Sequence, residues 1–310
     1  MSYKLRQLPS PKATRSENAD FLEVQCLLSA EGSYSIVEAA QALGIVDEEE
    51  NNRIEQELPF YDVLSIIDER HEATGGNYPF NTDGYSVCMA PKCSNLAKDV
   101  YIFLLFATRH LMGTGRVVNG IDGTALFEKL CAEVLKKYFG ENACCFVFGT
   151  GDDVHTSFND KLKNLIFQLK EPKYAIRRPE GDTGHQRDDK LDVVAHIPFN
   201  DKRMGQFIAF AQCKTGDSWS SSIGLLKPSD FSRNYIEPVL NFTPITVNMV
   251  SESFSNDWER IARDVVFFDR CRIMRFLPEM IAPDLEHDIL QWNTGVLQTI
   301  LDSKDIIVRY

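Results

Sequence analysis

Apolar residues along this chain fall into two kinds of run. The first kind repeats every three and four residues. In Thr124–Tyr138, TALFEKLCAEVLKKY, the residues Phe127, Leu130, Cys131, Val134, Leu135 and Tyr138 share one helical stripe. At about 100° per residue, Glu128 lands at the rim of that stripe, and Lys129, Glu133 and Lys136 face water. The same spacing predicts helices over Phe21–Leu28, Ser35–Leu43, Asn51–Ile67, Ser94–Met112, Phe158–Leu169 and Pro283–Leu301, and one near Asp257–Arg263. The second kind of run is short, continuous and β-branched. Ala143–Phe148, Leu191–Ile197, Gln206–Lys214 and Ile245–Val250 read as strands. Pro198–Gly205 is a string of turn formers, so the middle two strands form a β-hairpin. Alternation sends Gln212 and Lys214 to one face and Phe207, Ala209, Ala211 and Cys213 to the other. Asp192 enters the neighbouring strand, within reach of Gln212 and Lys214.

Between these runs the chain is polar. The first 20 residues read as loosely ordered, Ala73–Asp83 as a loop and Gly113–Gly123 as a Gly-rich connection. The predicted organisation is bipartite, a mainly helical region over 1–112 and a strand-bearing domain over 113–310. Ser35–Gly44 looks like the opening of a helix-turn-helix. The next segment, however, begins Asp47-Glu-Glu-Glu50, which phosphates would repel. A packing or partner-binding helical region is the better reading. Asp152, Asp153 and His155 read as a polar turn in preference to a metal site.

The hairpin gathers groups suited to phosphodiester hydrolysis. That reaction uses a hard cation to polarise the phosphoryl oxygen and to acidify a bound water. Magnesium takes oxygen ligands and needs only one or two carboxylates. Asp192 offers an anionic oxygen and Gln212 an amide oxygen. Lys214 can orient the attacking water or stabilise charge on phosphorus. Each residue also has a plainer reading: Asp192 as an edge-strand acid, Lys214 as a solvated strand end, Glu128 as a wet helix residue, Trp219 as core. Their joint order favours a site.

Leu126-Phe127-Glu128 on a helix, Asp189-Lys-Leu-Asp192-Val-Val-Ala-His196 on a strand, and Gln212-Cys-Lys214-Thr-Gly216-Asp-Ser-Trp219 on the next form one pattern. It resembles the PD-(D/E)xK, or restriction-endonuclease-like, nuclease superfamily, over roughly Gly120–Trp219. Within it, the details are similar to a bacterial subgroup with an LFE helix, an LDVVA strand and a QCxTGxxW element. The resemblance implies an α/β (α+β) fold with a central mixed sheet flanked by helices. It implies metal ligation by Glu128, Asp192 and Gln212 and a catalytic Lys214. His185, His196 and Trp219 are candidates for supporting positions around them. The implied activity is Mg²⁺-dependent cleavage of DNA, with Mn²⁺ able to substitute, in a restriction or antiviral defence setting. Leu191 stands where the pattern usually has Pro, and Gln212 replaces the second acid, so weaker metal binding or a single-metal mechanism follows. Because the superfamily holds inactive members, the alternative is a silent binding module that recruits a protein partner.

Composition trims this picture. The 310 residues carry a formal charge of −12, which disfavours avid DNA binding over the whole surface. Residues 1–110 hold 9 Lys and Arg against 17 Asp and Glu, and the remaining 200 hold 24 against 28. The excess acid therefore sits in the first region, a candidate surface for a basic protein partner. Two basic clusters, Lys170, Lys173, Arg177 and Arg178, then Arg260, Arg263, Arg270, Arg272 and Arg275, read as either a phosphate groove or ordinary solvated faces. Eight scattered cysteines without a C-x-x-C pair argue against structural zinc and suit a reducing compartment. No signal core or bilayer-length apolar run is evident. The expectation is a soluble, cytoplasmic protein with no membrane contact, and a homo-oligomer is compatible with it.

Overall fold

The computed structural model describes residues 13–42, 53–109, 116–148, 157–171, 173–177, 189–216, 219–254 and 258–302. Its amino-terminal part runs α1 (Arg15–Leu28), β1 (Ser33–Ser35), α2 (Ile36–Ala42), α3 (Arg53–Ala73), β2 (Phe80–Thr82), β3 (Ser86–Met89) and α4 (Asn95–Arg109). Helix α1 starts six residues before the apolar period does, because a capping box fixes its end. Thr14 Oγ1 accepts the Glu17 N–H and the Glu17 carboxylate accepts the Thr14 N–H. Residues 15–20, read from sequence as loosely ordered, are thus helical. Strand β2 lies in the predicted loop at Ala73–Asp83. It pairs with β3, and β3 with β1, in a small antiparallel sheet. Three-residue strands are too short to show alternation. The second segment of the helix-turn-helix reading, Asp47–Glu50, lies outside the described residues.

The chain continues through β4 (Val117–Val118), β5 (Ile121–Asp122), α5 (Gly123–Phe139), β6 (Cys144–Val147), α6 (Phe158–Leu169), β7 (Ala175–Ile176), β8 (Val193–Ile197), β9 (Phe207–Lys214), α7 (Pro228–Tyr235), β10 (Ile236–Glu237), β11 (Ile245–Val250), α8 (Trp258–Ile261), β12 (Val266–Phe268), α9 (Arg270–Arg275) and α10 (Pro283–Asp302). The connection read as merely Gly-rich holds the β4–β5 hairpin, turned by Asn119 and Gly120 at φ 51° and 79°. The fold is mixed α/β. Its main sheet has five strands in the order β12-β11-β9-β8-β6. The hairpin β8–β9 is antiparallel, as the turn residues predict, and so is β6–β8. Strands β9, β11 and β12 run parallel.

Helices cover both faces of this sheet. Val193, Ala195, Ala209, Ala211, Cys213, Val247 and Met249 join a cluster with α4, α5 and α10. Val194, Ile208 and Phe210 pack on Phe158, Leu162 and Leu165 of α6 and Phe231 and Tyr235 of α7. The first cluster is continuous from Ala19 to Ile300. The helical region before residue 112 therefore shares its core with the sheet.

A polar network also crosses that boundary. Arg270 grips Asp20 through two nitrogens at 2.8 and 3.1 Å, and Arg70 reaches Asp20 at 2.8 Å and Glu23 at 2.5 Å. Tyr78 and Tyr101 donate hydroxyls to the Glu23 carboxylate. All six side chains are buried. Charge matching offsets the desolvation of such a network, and here two acids face two guanidinium groups, with Arg70 Nε left unbonded among the described residues. Arg270 Nε also donates to the Ser251 carbonyl at 2.9 Å, just beyond the end of β11. The second basic cluster read from sequence is therefore not one phosphate-facing surface: Arg270 points inward, and Arg272 lies over the Trp258 ring at 4.2 Å.

Candidate active site

Glu128 sits one turn into α5, whose Gly123 start is capped by the Asp122 side chain. The helix presses its apolar stripe on β8 and β9, and Glu128 goes down with it to 4 % exposure. The plain reading of Glu128 as a wet helix residue is thereby excluded.

Asp192 enters β8 from a turn in which Asp189 and Lys190 both take left-handed φ, 46° and 67°. Two successive left-handed residues without glycine are costly, about 1–2 kcal/mol each. The turn delivers Asp192 one residue before the regular ladder begins. Its N–H donates to the Ala211 carbonyl at 2.9 Å, and its carboxylate accepts the Cys213 N–H at 2.7 Å. The carboxylate thus takes a ladder position in the plane of the sheet, alongside Gln212. Asp192 is 5 % exposed.

The thiols of Cys131 and Cys213 meet between α5 and β9, and both feel the Glu128 and Asp192 carboxylates. Burial pushes both thiols above their ordinary range, and the two carboxylates push the same way. They stay protonated at neutral pH. Protonated thiols are poor metal ligands, which leaves oxygen donors in charge of this corner.

Gln212 and Lys214 lie on the opposite face of β9 from Cys213, one and two steps beyond Phe210. There the helical cover of α6 and α7 gives way to a single 3₁₀ turn, Trp219–Ser222. A shallow, partly open recess remains, lined by Gln212, Lys214, Trp219, Ser222, Ile223, Asn248 and Val250. Gln212 is 2 % exposed, yet neither its Oε1 nor its Nε2 has a hydrogen-bond partner among the described residues. Leaving a buried polar atom unbonded costs about 1–3 kcal/mol, which makes this amide a candidate ligand-binding group. The half-buried Lys214 ammonium has no carboxylate partner among the described residues.

The structure sets the four principal residues in two pairs, divided between the two faces of β9. Glu128 and Asp192 flank the thiols, Gln212 and Lys214 line the recess, and Asp192 beside Gln212 joins the halves. Among the described residues no three His, Cys, Asp or Glu side chains form a metal-holding group. By donor chemistry alone, two carboxylates and the unbonded Gln212 amide oxygen suit a hard cation.

Of the supporting candidates, Trp219 closes the recess. Its indole N–H bonds the Glu252 carboxylate, and its ring packs against Phe254 and Phe267. His196 is elsewhere. It lies four residues along from Asp192, about 13 Å at strand rise, with Nδ1 and Gln206 Oε1 2.9 Å apart. His185, Asp152, Asp153 and His155 lie outside the described residues.

No family model, curated protein or solved structure matches this chain. A functional reading therefore rests on the residue pattern and geometry of this chain. It adds two residues that the sequence reading passed over, Asn248 and Ser222. Asn248 is the lone polar residue near the centre of ITVNMV, and a buried amide inside an apolar strand was the available signal. Ser222 carries none. All eight cysteines are free thiols, and no described helix is long and apolar enough to cross a membrane.

Proposed function

We propose that the protein is a Mg²⁺-dependent endonuclease of the PD-(D/E)xK type, acting on DNA. One observation carries the reading: a buried, unbonded Gln212 amide two residues before Lys214, with Asp192 on the adjacent strand. The mixed sheet flanked by helices agrees with it.

Glu128, Asp192 and Gln212 are the residues that would hold the cation. Bound there, it would supply the charge that polarises the phosphoryl group and acidifies water. The chain's own contribution is positional. The Cys213 N–H fixes the Asp192 carboxylate in one orientation, and burial of Glu128 and Gln212 excludes competing water. The Lys214 ammonium, unneutralised by any described carboxylate, can hold a nucleophilic water by one N–H while its charge offsets that growing on phosphorus.

The test is incubation of pure full-length protein with supercoiled plasmid and Mg²⁺ or Mn²⁺, beside Asp192→Ala. Nicking or linearisation by the parent and its loss in the variant are expected. Equal plasmid integrity with both proteins and both metals would overturn the proposal and leave a silent binding module.

A further inference from the structure

The recess holds a buried amide that the proposed reaction leaves unused. We infer that Asn248 anchors the substrate, its side-chain amide donating to a non-bridging phosphodiester oxygen held against Lys214. This deepens the nuclease reading and rests on it for the identity of the substrate.

Parallel pairing puts Asn248 directly opposite Gln212, so the two carboxamides share a face at one strand spacing. Asn248 is 4 % exposed, and its Nδ2 has no hydrogen-bond partner among the described residues. Asn is a poor strand former, and an apolar residue of similar size would fill this position without an unbonded donor. The recess collects the Asn248 and Gln212 amides, the Ser222 hydroxyl and the Lys214 ammonium between the apolar walls of Trp219, Ile223 and Val250. Among the described residues, no carboxylate lines it. Hydrogen-bond donors around a cation, without an acid, select an anion. The space is too shallow to enclose a nucleobase and admits a group the size of one oxygen, so a single non-bridging phosphodiester oxygen can enter it. Gln212 can then serve both halves of the site, its oxygen toward Asp192 and its nitrogen toward the anion.

The test compares full-length parent and Asn248→Leu, a substitution of nearly equal volume that removes the donor. Binding of inorganic phosphate and of a short DNA duplex is followed by calorimetry at low salt, and Mn²⁺ binding is measured in parallel. The proposal expects the variant to bind both phosphate and duplex about 10-fold or more weakly, since a hydrogen bond to a charged group contributes about 1.5–3 kcal/mol. It expects unchanged Mn²⁺ affinity, a KM raised more than kcat is lowered in plasmid nicking, and a Tm equal to or above the parent's. A purely structural Asn248 would lower Tm and leave phosphate affinity alone. Undetectable phosphate and duplex binding by the parent, or equal binding by both proteins, overturns the inference. Phosphate and duplex binding that depends on Asn248, in a protein that never cleaves, keeps the anion site and rejects the nuclease reading.

Discussion

The Asp192 carboxylate accepts the Cys213 backbone N–H at 2.7 Å, filling a ladder position that a strand carbonyl would normally take. The acid is therefore part of the sheet's hydrogen bonding as well as of the candidate site, and its substitutions separate the two roles. Asp192→Asn keeps an oxygen for Cys213 while losing the charge. It should retain the parent's Tm within a few degrees and lose cleavage by about 100-fold or more. Asp192→Ala should lose cleavage too, and should also destabilise by about 1–3 kcal/mol because the Cys213 N–H is left without an acceptor. Thermal unfolding and plasmid nicking on the same samples check both statements.

Lys214 is not a ligand in the proposed site. Lys214→Ala should bind Mn²⁺ as the parent does and cleave about 100-fold more slowly or worse. Gln212→Glu keeps an oxygen and adds a charge, so its Mn²⁺ affinity should hold or rise. Titration calorimetry of the metal beside nicking rates decides this. Parent-like cleavage by Lys214→Ala would remove the lysine from the mechanism.

The buried network gives a stability prediction. Arg270→Met leaves Asp20 and Glu23 with only Arg70, an imbalance of one buried negative charge. Breaking a buried pair on one side costs about 3–5 kcal/mol, read as a lower urea midpoint. Adding Asp20→Asn to Arg270→Met restores the balance and should recover part of that loss. A double variant weaker than the sum of the singles would refute the charge argument.

His196 gives a pH prediction. Burial lowers its pKa from the ordinary 6.5, although the Gln206 hydrogen bond opposes the shift. The unfolded chain then takes up a proton below pH 6.5 that the native protein refuses. This contribution to stability is complete above 6.5 and is lost as pH falls from there toward the lowered native value. The urea midpoint of the parent should fall more steeply below pH 6.5 than that of His196→Asn.

Gly295, inside α10, lies against the β4–β5 hairpin. A methyl group there would sit 2.4 Å from Val118 Cγ1 and 2.6 Å from Asn119 Nδ2. Helix propensity alone favours Gly→Ala by about 1 kcal/mol, but overpacking costs about 1–3 kcal/mol. Gly295→Ala should therefore lower Tm or leave it unchanged, and a clear rise would show that the hairpin gives way.

Periodicity made the long elements legible, α4, α5, α6, α10 and the hairpin β8–β9, because each buries a full apolar face. It missed β1, β2, β7, β10 and β12, which are two or three residues long and have no period to display. It missed α7 as well, where Pro228 opens a helix of eight residues with mostly polar side chains. At the site, Gln212 and Lys214 share a face because strands alternate, and that was readable from spacing alone. The partnership of Asp192 with Cys213 was not, since it depends on a break in strand register at Asp192. Nor was Asn248, whose relation to Gln212 is set by a parallel pairing between segments more than thirty residues apart.

The order in which the buried charges leave the ribosome follows from where they lie in the chain. Asp20, Glu23 and Arg70 emerge early, and Arg270 emerges some two hundred residues later. Until then the amino-terminal helices can bury their polar cluster only with one carboxylate charge unmatched. A nascent chain halted before residue 270 should keep those helices open to protease, and extending it past α9 should close them together with the end of the sheet. A segment made some two hundred residues later thus completes the interior of the earlier helices.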